Sequence, residues 1–379
     1  MLTLTLFVGG SVGSDPNSPR TWSGICSNLL REMTAANLLD RAIGVRVPPI
    51  ENALLQLRNV DLNRAVWRSH YYLDPAYRKA LTKEAAKLSA KGERLLQIGH
   101  MFSLPEAYPD RSCISYHDGN LAEKLKSGFG LQHVSRQRID ETLRYEEETA
   151  NQMDAVLTFS EYLRQSFISD YHVPAKRVFN VGAGVNLTEL PHLNLGKDYS
   201  SPRILFLGIE FERKGGRQLL SAFRIVRERV PNAELHIVGP AKLTETAPGI
   251  VFHGHLSKSD PEQRRKLDIL FRESVLFVLP SLYEPFGIAP LEAMLYQIPC
   301  LVTDAWALRE IVRPNFNGDL VTIGSIEDLA HKIVRLISAP ERLAAMGLRG
   351  RDMVLQRFTW AAVVKQCIAA LAGSHDNQQ

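Results

Sequence analysis

The sequence predicts an α/β protein with two domains, each built around a parallel β-sheet. Short apolar segments alternate with amphipathic helical segments along the chain, a pattern typical of stacked βαβ units. The 379 residues are too many for one ordinary core, so two domains of roughly 180 residues are expected. Residues 187–202 separate the two series of strands. Pro191, Gly196 and Pro202 interrupt the periodicity there, which predicts an interdomain linker.

Ten strands are predicted, because ten short apolar runs are bounded by turn residues. Those of the first domain are Leu2–Val8, Leu95–Ile98, Cys113–Tyr116, Ala155–Phe159 and Val178–Val181. Those of the second domain are Ile204–Leu207, Leu235–Val238, Val251–His253, Val275–Leu279 and Cys300–Thr303. Residues 359–372 are predicted to form a last amphipathic helix, followed by a polar tail.

The composition excludes several classes of protein. Apolar residues make up 45% of the chain and charged residues 23%, which is average for a soluble globular protein. No apolar run reaches the roughly 18 residues that a membrane helix needs. Met1–Gly10 has neither a basic region nor a cleavage site, so it is interpreted as a first strand, and a cytoplasmic location is expected. A net charge of +4 without an RNA-binding or zinc-finger pattern argues against nucleic acid as a partner.

The cysteines and acidic residues give no sign of a metal centre. Cys26, Cys113, Cys300 and Cys367 are isolated in sequence and mostly lie in apolar stretches, so they are interpreted as reduced core thiols. No Asp-x-Asp element follows a strand, and no set of His, Asp or Glu has the spacing of metal ligands. Neither a metal nor another cofactor is therefore expected.

The most informative segment is Ser281–Glu292, where an apolar strand leads into a turn and then a helix. Pro285 and Gly287 end the strand, and the helix is predicted to begin at about Ile288. Glu284 therefore lies at the carboxyl end of a strand, where open α/β sheets bind ligands.

The groups of this turn suit an anionic, hydroxylated substrate. The backbone N–H groups of Phe286, Gly287 and Ile288 would point out of the helix start, which can hold a phosphate dianion. Glu284 could accept a hydroxyl proton or brace a substrate cation. Glu292, about two turns further along, could bind the two hydroxyls of a ribose through its carboxylate oxygens. The alternative is an ordinary strand, turn and helix with two solvated glutamates.

At these positions the sequence resembles the donor site of retaining glycosyltransferases with the two-domain GT-B fold. The family is family 4 in particular, the glycosyl transferases group 1. Its signature is a glutamate, seven residues and a second glutamate, with Pro-Phe-Gly after the first, which corresponds here to Glu284–Glu292. Further pieces follow in the family's order: Ala293 with Met294, Pro299–Asp304, Leu308–Val312 and Asn317 with Gly318.

The resemblance implies a GT-B fold of two Rossmann-like domains, whose parallel sheets face each other across a cleft. It places an acceptor-side domain at residues 1–190 and a nucleotide-sugar donor domain at residues 203–358. The last helix, about 359–372, would pack back on the first domain. The donor substrate would be a nucleotide diphosphate sugar, used without a metal ion.

Two cations follow the first strand of the second domain. Arg213 and Lys214 precede Gly215 and a predicted helix, a place where a diphosphate can be held. The string resembles the family's Arg-Lys-Gly pattern, with Glu212 where many members have aspartate. Both cations would then stabilise the charge that grows on the leaving nucleotide diphosphate. Taken alone, the pair could equally be a solvated turn.

Residues of the first domain resemble the family in shorter pieces. Residues 15–24 resemble a loop that reaches toward the donor phosphate, where Ser23 is predicted to cap the first helix and Gly24 to open its start to an anion. His117 is predicted to end a strand as an exposed imidazole that contacts the donor sugar and supports its positive transition state. His100, which is predicted to end the preceding strand as an exposed imidazole in the same manner, and Asp118 are candidates on the acceptor side.

Four lysines form a possible charged stripe before the second strand. Lys79, Lys83, Lys87 and Lys91 recur at intervals of four and would line one face of a helix. Such a face is solvated, or it meets an anionic acceptor or an anionic membrane surface. In the last case the protein would be peripheral at the inner membrane surface.

The resemblance therefore predicts transfer of a hexose from a UDP- or GDP-type sugar to a hydroxyl of a glycan, lipid or small molecule. His255 and Leu256 follow a strand of the donor domain and would border the nucleotide base without identifying it. Two alternatives remain, a nucleotide-sugar epimerase on the same fold and a non-catalytic subunit that binds sugar nucleotides. The sequence identifies neither the acceptor, the sugar, the base nor the oligomeric state.

Overall fold

The computed structural model describes residues 3–10, 13–18, 20–90, 94–187, 189–239 and 247–376, except the side chains of Ser23, Ala65 and residues 373–376. The chain divides into two compact units. Unit 1 comprises Met1–Asn186 and Trp360–Gln379, and unit 2 comprises Leu187–Thr359. Within the described residues, each unit contains one six-stranded sheet.

The sheet of unit 1 is parallel and has the strand order β2-β1-β3-β4-β5-β6. Its strands are Leu4–Gly9 (β1), Leu39–Val45 (β2), Arg94–Ile98 (β3), Ser112–His117 (β4), Ala155–Thr158 (β5) and Val178–Asn180 (β6). Its helices are Ile25–Ala35 (α1), Pro49–Arg58 (α2), Arg64–Tyr72 (α3), Pro75–Ala86 (α4), Leu104–Ala107 (α5), Leu121–Ser127 (α6), Arg136–Gln152 (α7) and Glu161–Ser169 (α8). Short 3₁₀ helices lie at Thr21–Gly24 and Ala175–Arg177.

The sheet of unit 2 is also parallel and has the order β12-β11-β10-β7-β8-β9. Its strands are Arg203–Leu207 (β7), Glu234–Val238 (β8), Ile250–Gly254 (β9), Leu276–Leu279 (β10), Cys300–Thr303 (β11) and Gly318–Val321 (β12). Its helices are Gly216–Arg229 (α9), Pro261–Glu273 (α10), Ile288–Leu295 (α11), Leu308–Ile311 (α12), Ile326–Ile337 (α13) and Pro340–Arg357 (α14). Because β7 and β10 are parallel neighbours, the loops that follow them begin at the same edge of the sheet.

The last helix of the chain, Trp360–Asp376 (α15), belongs to unit 1 and packs against α1. Trp360 is buried, and its indole N–H donates to the carbonyl of Val185 at 3.0 Å. This hydrogen bond joins the start of α15 to the end of the N-terminal part of unit 1, Met1–Asn186.

The ten predicted strands lie where the sequence places them, with ends that differ by one or two residues. Two further strands, β2 and β12, are not predicted, and both lie at a sheet edge. An edge strand has a single neighbouring strand, and neither of these two is a continuous apolar run. Asp40 and Arg41 interrupt β2, and β12 has only four residues, which include Asp319.

The predicted linker is packed on unit 2 along part of its length. The Tyr199 hydroxyl donates to the carbonyl of Gln297 at 2.6 Å, and the backbone N–H of Asn194 donates to the side chain of Gln297 at 2.8 Å. Lys197 donates to the carbonyl of Arg272 at 2.9 Å, and burial lowers the pKa of its amine to about 7. The division between the units lies at the start of this segment, after Asn186.

The predicted face of four lysines is wrong. Helix α4 ends at Ala86, where backbone N–H groups bond three residues back and tighten the last turn. Lys79 and Lys83 lie on the helix and are exposed, whereas Lys87 only caps its end and Lys91 lies outside the described residues. Over the part of the chain that the structure describes, no helix has the length and apolar character needed to cross a membrane.

The cysteines lie in the cores of the units. All four are buried and free, and burial raises the pKa of Cys26 and of Cys113 to about 12. Both thiols are therefore protonated at neutral pH and unsuited to nucleophilic chemistry. The residues described here contain no group of three or more His, Cys, Asp or Glu side chains that could hold a metal ion. Transfer without a metal stays a prediction.

Candidate functional site

The loop after β7 is bonded directly to the loop after β10. The backbone N–H of Leu282 donates to the carbonyl of Arg213 at 2.8 Å, and the Arg213 guanidinium donates to the carbonyl of Tyr283 at 2.7 Å. These bonds place Arg213 and Lys214, from one loop, beside Glu284 from the other. The three residues meet because the two strands before them are neighbours in the sheet.

The three charged groups form a compact cluster. Lys214 Nζ lies 3.0 Å and Arg213 Nη1 3.6 Å from Glu284 Oε2, and the Ser281 hydroxyl donates to the same oxygen at 3.3 Å. Glu284 is 7% exposed. Burial opposes the charged carboxylate, but the positive charges of Lys214 and Arg213 outweigh it, so the pKa of Glu284 is lower than its ordinary value. Glu284 is therefore an anion at neutral pH.

This charge state favours one of the two roles considered for Glu284. A carboxylate with a lowered pKa is a poor proton acceptor, but it keeps the negative charge that stabilises a nearby cation. The cluster also modifies the expectation for the cations, because Arg213 and Lys214 are already paired. Arg213 makes a second ion pair, with the exposed Glu210 at 2.6 Å.

Gly215 allows the cation loop to turn into α9. It is the N-cap residue, with φ of +74°, and a Cβ built on it would lie 2.0 Å from the carbonyl oxygen of Pro280. A side chain would therefore push apart the loops that hold Arg213 and Glu284.

We expect Gly215→Ala to lower the free energy of unfolding by roughly 1–3 kcal/mol more than Gly254→Ala does. Gly254 is the matched control, since its φ of +67° is similar but no atom lies within 4 Å of its Cβ position. Both substitutions place an alanine at a positive φ, but only Gly215→Ala adds a steric clash. The comparison is made by urea unfolding, and equal losses would show that the loops adapt without cost.

Helix α11 begins at the turn beside this cluster. Gly287 is its N-cap with φ of +106°, and no side chain of the described residues caps the helix start. A Cβ on Gly287 would lie 2.7 Å from Leu308 Cδ2, so packing against Leu308 requires glycine here. Phe286 is buried and Ile288 is half-buried. Any ligand at this end would therefore meet mainly backbone N–H groups.

Glu292 lies on the second turn of α11 and is buried. Its Oε1 forms an ion pair with Lys258 Nζ, from the loop between β9 and α10. Sequence reasoning misses Lys258, because a single lysine in a polar loop looks solvated. The pair resembles the first cluster, since a buried glutamate of the turn-helix segment is again held by a lysine from a neighbouring loop.

The comparison with protein families covers most of unit 2. Residues 192–353 match the family described as glycosyl transferases group 1. Residues 192–353 form a glycosyl transferases group 1 domain. Both buried glutamates and the cation pair lie in this group 1 domain.

Relatives with known names align mainly with part of the chain. MMP α-(1→4)-mannosyltransferase of Mycolicibacterium hassiacum is 29% identical over 234 residues, which cover 59% of this chain and 55% of that protein. Mannosylfructose-phosphate synthase of Agrobacterium fabrum is 23% identical over 350 residues, which cover 85% of this chain and 72% of that protein. The chain spans about 55–62% of the length of the first three curated relatives.

Solved structures resemble the whole chain. Sucrose-phosphate synthase from Thermosynechococcus elongatus has a TM-score of 0.71 and 18% sequence identity, and the match covers 100% of both chains. HepE of Anabaena, in complex with UDP and glucose, has a TM-score of 0.66 and 17% identity, and the match covers 98% of this chain and 100% of that one. Together with the two parallel sheets, these similarities confirm the predicted GT-B fold.

His255 and Leu256 lie in the group 1 domain, directly after β9. His255 is exposed and Leu256 is half-buried. They share their loop with Lys258, which reaches Glu292. Their placement at the carboxyl end of a strand is the one expected, and their contact with a nucleotide base stays a prediction.

The predicted cap of α1 is wrong by one residue. Gly24 is the N-cap, and Ser23 lies in the preceding 3₁₀ helix, so Ser23 is not placed to cap α1. The side chain of Ser23 is not among those described. The carbonyl of Gly24 accepts bonds from Ser27 at 3.1 Å and from Asn28 at 2.8 Å, which fix the first turn of the helix.

The prediction that His117 and His100 are exposed is also wrong. Both rings are buried in unit 1, and they stack on each other with 3.9 Å between their centroids. Within the described residues, none of their four ring nitrogens has a hydrogen-bond partner. They come together because β3 and β4 are neighbours, and Phe167 of α8 packs over both rings. Asp118, next in the chain, is half-buried.

The paired rings are neutral in the folded chain. Burial, followed by the positive charge of Arg78, lowers the pKa of His100 to about 3. Burial, followed by the effect of His100, lowers the pKa of His117 well below its usual range, against a small opposing effect of Glu146. Each ring would have to leave its present environment to carry a proton at neutral pH.

The stability of unit 1 should therefore fall as the pH is lowered from about 6.5, the ordinary pKa of an unfolded histidine. Below that pH the unfolded chain binds protons that the folded chain excludes. The loss can reach about 1.4 kcal/mol per pH unit for each histidine.

Urea unfolding at pH 7 and at pH 5 tests this expectation. The free energy of unfolding should differ less between the two pH values for His117→Asn than for the native chain. The matched control is His172→Gln, which removes an exposed histidine paired with Glu147. An unchanged difference for His117→Asn would contradict the assignment.

Proposed function

We propose that the chain is a retaining glycosyltransferase of family 4 type, which moves a hexose from a nucleotide diphosphate sugar to an acceptor hydroxyl without a metal ion. The observation that carries this proposal is the cluster of Glu284, Arg213 and Lys214 beside the uncapped start of α11. It combines a buried anion, two cations and a row of backbone donors at the carboxyl edge of one sheet.

The cations and the helix start suit a diphosphate. Arg213 donates two N–H groups to the exposed Glu210, which phosphate oxygens could replace, and Lys214 offers a compact positive charge. The N–H groups at Phe286–Ile288 add the partial positive charge of a helix start. As the bond between sugar and phosphate breaks, negative charge grows on the diphosphate, and these groups stabilise it.

The glutamates suit the two ends of the donor. The contacts of Glu284 converge on Oε2, so we assign Oε1 to the sugar, where its charge would stabilise the positive anomeric carbon. Glu292 would bind a ribose hydroxyl through Oε2, since Oε1 already pairs with Lys258. In a retaining transfer the acceptor hydroxyl would pass its proton to the leaving phosphate, so Glu284 need not act as a base.

The relatives support this choice of reaction. The group 1 domain contains all of these residues, and one relative is named as a mannosyltransferase. HepE was solved with UDP and glucose, which makes UDP-glucose the first donor to test. The roles of Gly24 at the donor phosphate, and of His117, His100 and Asp118 at the sugar or acceptor, stay predictions. For the two histidines, such contact would require a rearrangement of the buried pair.

The test begins with thermal shifts of the full chain in the presence of UDP, GDP, ADP and their sugars, with a metal chelator present. A ligand that binds only the folded chain raises its melting temperature. The donor that gives a shift is then incubated with a panel of glycan, lipid and small-molecule acceptors. The anomeric configuration of the product is read by NMR.

Three results would count against the proposal. A shift without turnover on any acceptor would favour the non-catalytic alternative. Turnover that stops with chelator and returns with a metal would overturn metal independence. A product of inverted configuration would overturn retention.

A further inference from the structure

Helix α2 exposes an apolar face to solvent. Ile50, Leu54 and Leu57 are spaced four and three residues apart, so they share one side of the helix. They are 81%, 63% and 67% exposed. Val60 and Leu62 extend this apolar patch beyond the helix end and are also exposed. These five residues are called the α2 surface.

The other side of α2 is held by polar contacts. The Tyr71 hydroxyl donates to the side chain of Asn52, and the Trp67 indole N–H donates to the carbonyl of Gln56 at 3.0 Å. Just after the helix, the amide of Asn59 donates to Asp74 at 2.6 Å. A surface helix ordinarily turns its apolar side inward. In α2, Leu55 packs inward on the core of unit 1, whereas Ile50, Leu54 and Leu57 stay exposed.

Cations lie close to the α2 surface in the sequence. Arg58, Arg64 and Arg68 are exposed on the segment that carries it, and Arg58 also forms an ion pair with the buried Asp74 at 3.7 Å. Residues 49–91 contain eight Lys and Arg against four Asp and Glu, a net charge of +4 that equals the formal charge of the whole chain. The exposed Lys79 and Lys83 of α4 belong to the same segment. An apolar helical face flanked by cations is the pattern of a helix that lies in the plane of an anionic bilayer.

We propose that the α2 surface docks on an anionic lipid membrane. The leucine and isoleucine side chains would enter the boundary of the acyl chains, and the arginines would contact anionic headgroups. A second copy of this chain fits less well. A two-fold contact would bring the same arginines of both copies together, and these like charges would repel each other. The inference concerns binding alone and does not rest on the proposed function.

The test is co-sedimentation of the full chain with vesicles of phosphatidylcholine alone and of phosphatidylcholine with phosphatidylglycerol. We expect the native chain to bind the anionic vesicles, with binding that weakens at high salt because charge attraction is screened. The variant Leu54→Gln with Leu57→Gln should lower the vesicle partition coefficient at least tenfold. The variant Arg64→Gln with Arg68→Gln should reduce the preference for anionic lipid.

The matched control is Ile269→Gln with Ile368→Gln, which removes two exposed isoleucines from α10 and α15. It should bind vesicles as the native chain does. The proposal is overturned if the native chain binds no vesicles, if the leucine variant binds equally well, or if lipid charge has no effect. Light scattering on the same proteins would detect self-association. A dimer that the leucine variant abolishes, without vesicle binding, would assign the surface to a second copy.

Discussion

Replacing Lys214 by alanine should lower turnover by roughly two to three orders of magnitude, the loss typical when a preorganised charge donor of a transition state is removed. Lys214 is the nearer of the two cations that pair with Glu284, at 3.0 Å, and the proposed partner of the leaving diphosphate. The fold should survive, because Arg213 remains 3.6 Å from the carboxylate. The measurement is kcat/KM with the donor that the binding panel identifies, alongside the melting temperature.

Arg217→Ala is the matched control for this variant. Arg217 lies three residues further along, and its side chain is 53% exposed and paired with the exposed Glu212. An exposed pair of this kind contributes little to stability, and we expect turnover within about twofold of the native chain. Normal turnover in the folded Lys214→Ala variant would remove this residue from the phosphate site.

Glu284→Gln should separate catalysis from nucleotide binding. Glutamine preserves the shape of the side chain but removes the charge assigned to the sugar, so we expect kcat to fall roughly a hundredfold. Binding of the free nucleoside diphosphate should not weaken, because the carboxylate that occupies Arg213 and Lys214 is gone. The variant leaves Lys214 without its anion and Arg213 with only the exposed Glu210, which destabilises the unliganded protein. The diphosphate should therefore raise its melting temperature by more than it raises that of the native chain.

Glu210→Gln is the control for charge alone. Glu210 pairs with the same Arg213 guanidinium, but its side chain is 65% exposed. We expect kcat within about twofold of the native value and no change in the ligand-induced shift. If Glu284→Gln instead binds the diphosphate at least tenfold more weakly with unchanged kcat, Glu284 acts in binding and not in the chemical step.

The buried strands of both units were predictable, because strands of a parallel sheet are buried on both faces and form continuous apolar segments in the sequence. Each predicted strand, from Leu95–Ile98 to Cys300–Thr303, matches a strand of the structure. The edge strands β2 and β12 were not predictable in the same way, since neither is a continuous apolar run. The spacing of four residues between the lysines wrongly predicted one charged helix face, because spacing alone does not show that α4 ends at Ala86.

The placement of Arg213, Lys214 and Glu284 after strands was predictable, but their mutual pairing was not. Sequence reasoning assigned Arg213 and Lys214 to phosphates and Glu284 to the sugar, whereas the structure joins all three. Such contacts depend on which strands are neighbours, and a linear pattern does not contain that order. For the same reason, the sequence did not predict the ion pair of Lys258 with Glu292 or the stacking of His100 on His117.

Unit 1 is discontinuous in the sequence, and this affects the order in which the chain can fold on the ribosome. Translation completes Leu187–Thr359 before it reaches α15, so unit 2 has all of its residues while unit 1 still lacks its last helix. Domains fold as units during synthesis, generally from the N-terminus. Here the unit that begins first is the one completed last. A premature stop after Thr359 would leave unit 2 whole and unit 1 without the indole that bonds to Val185.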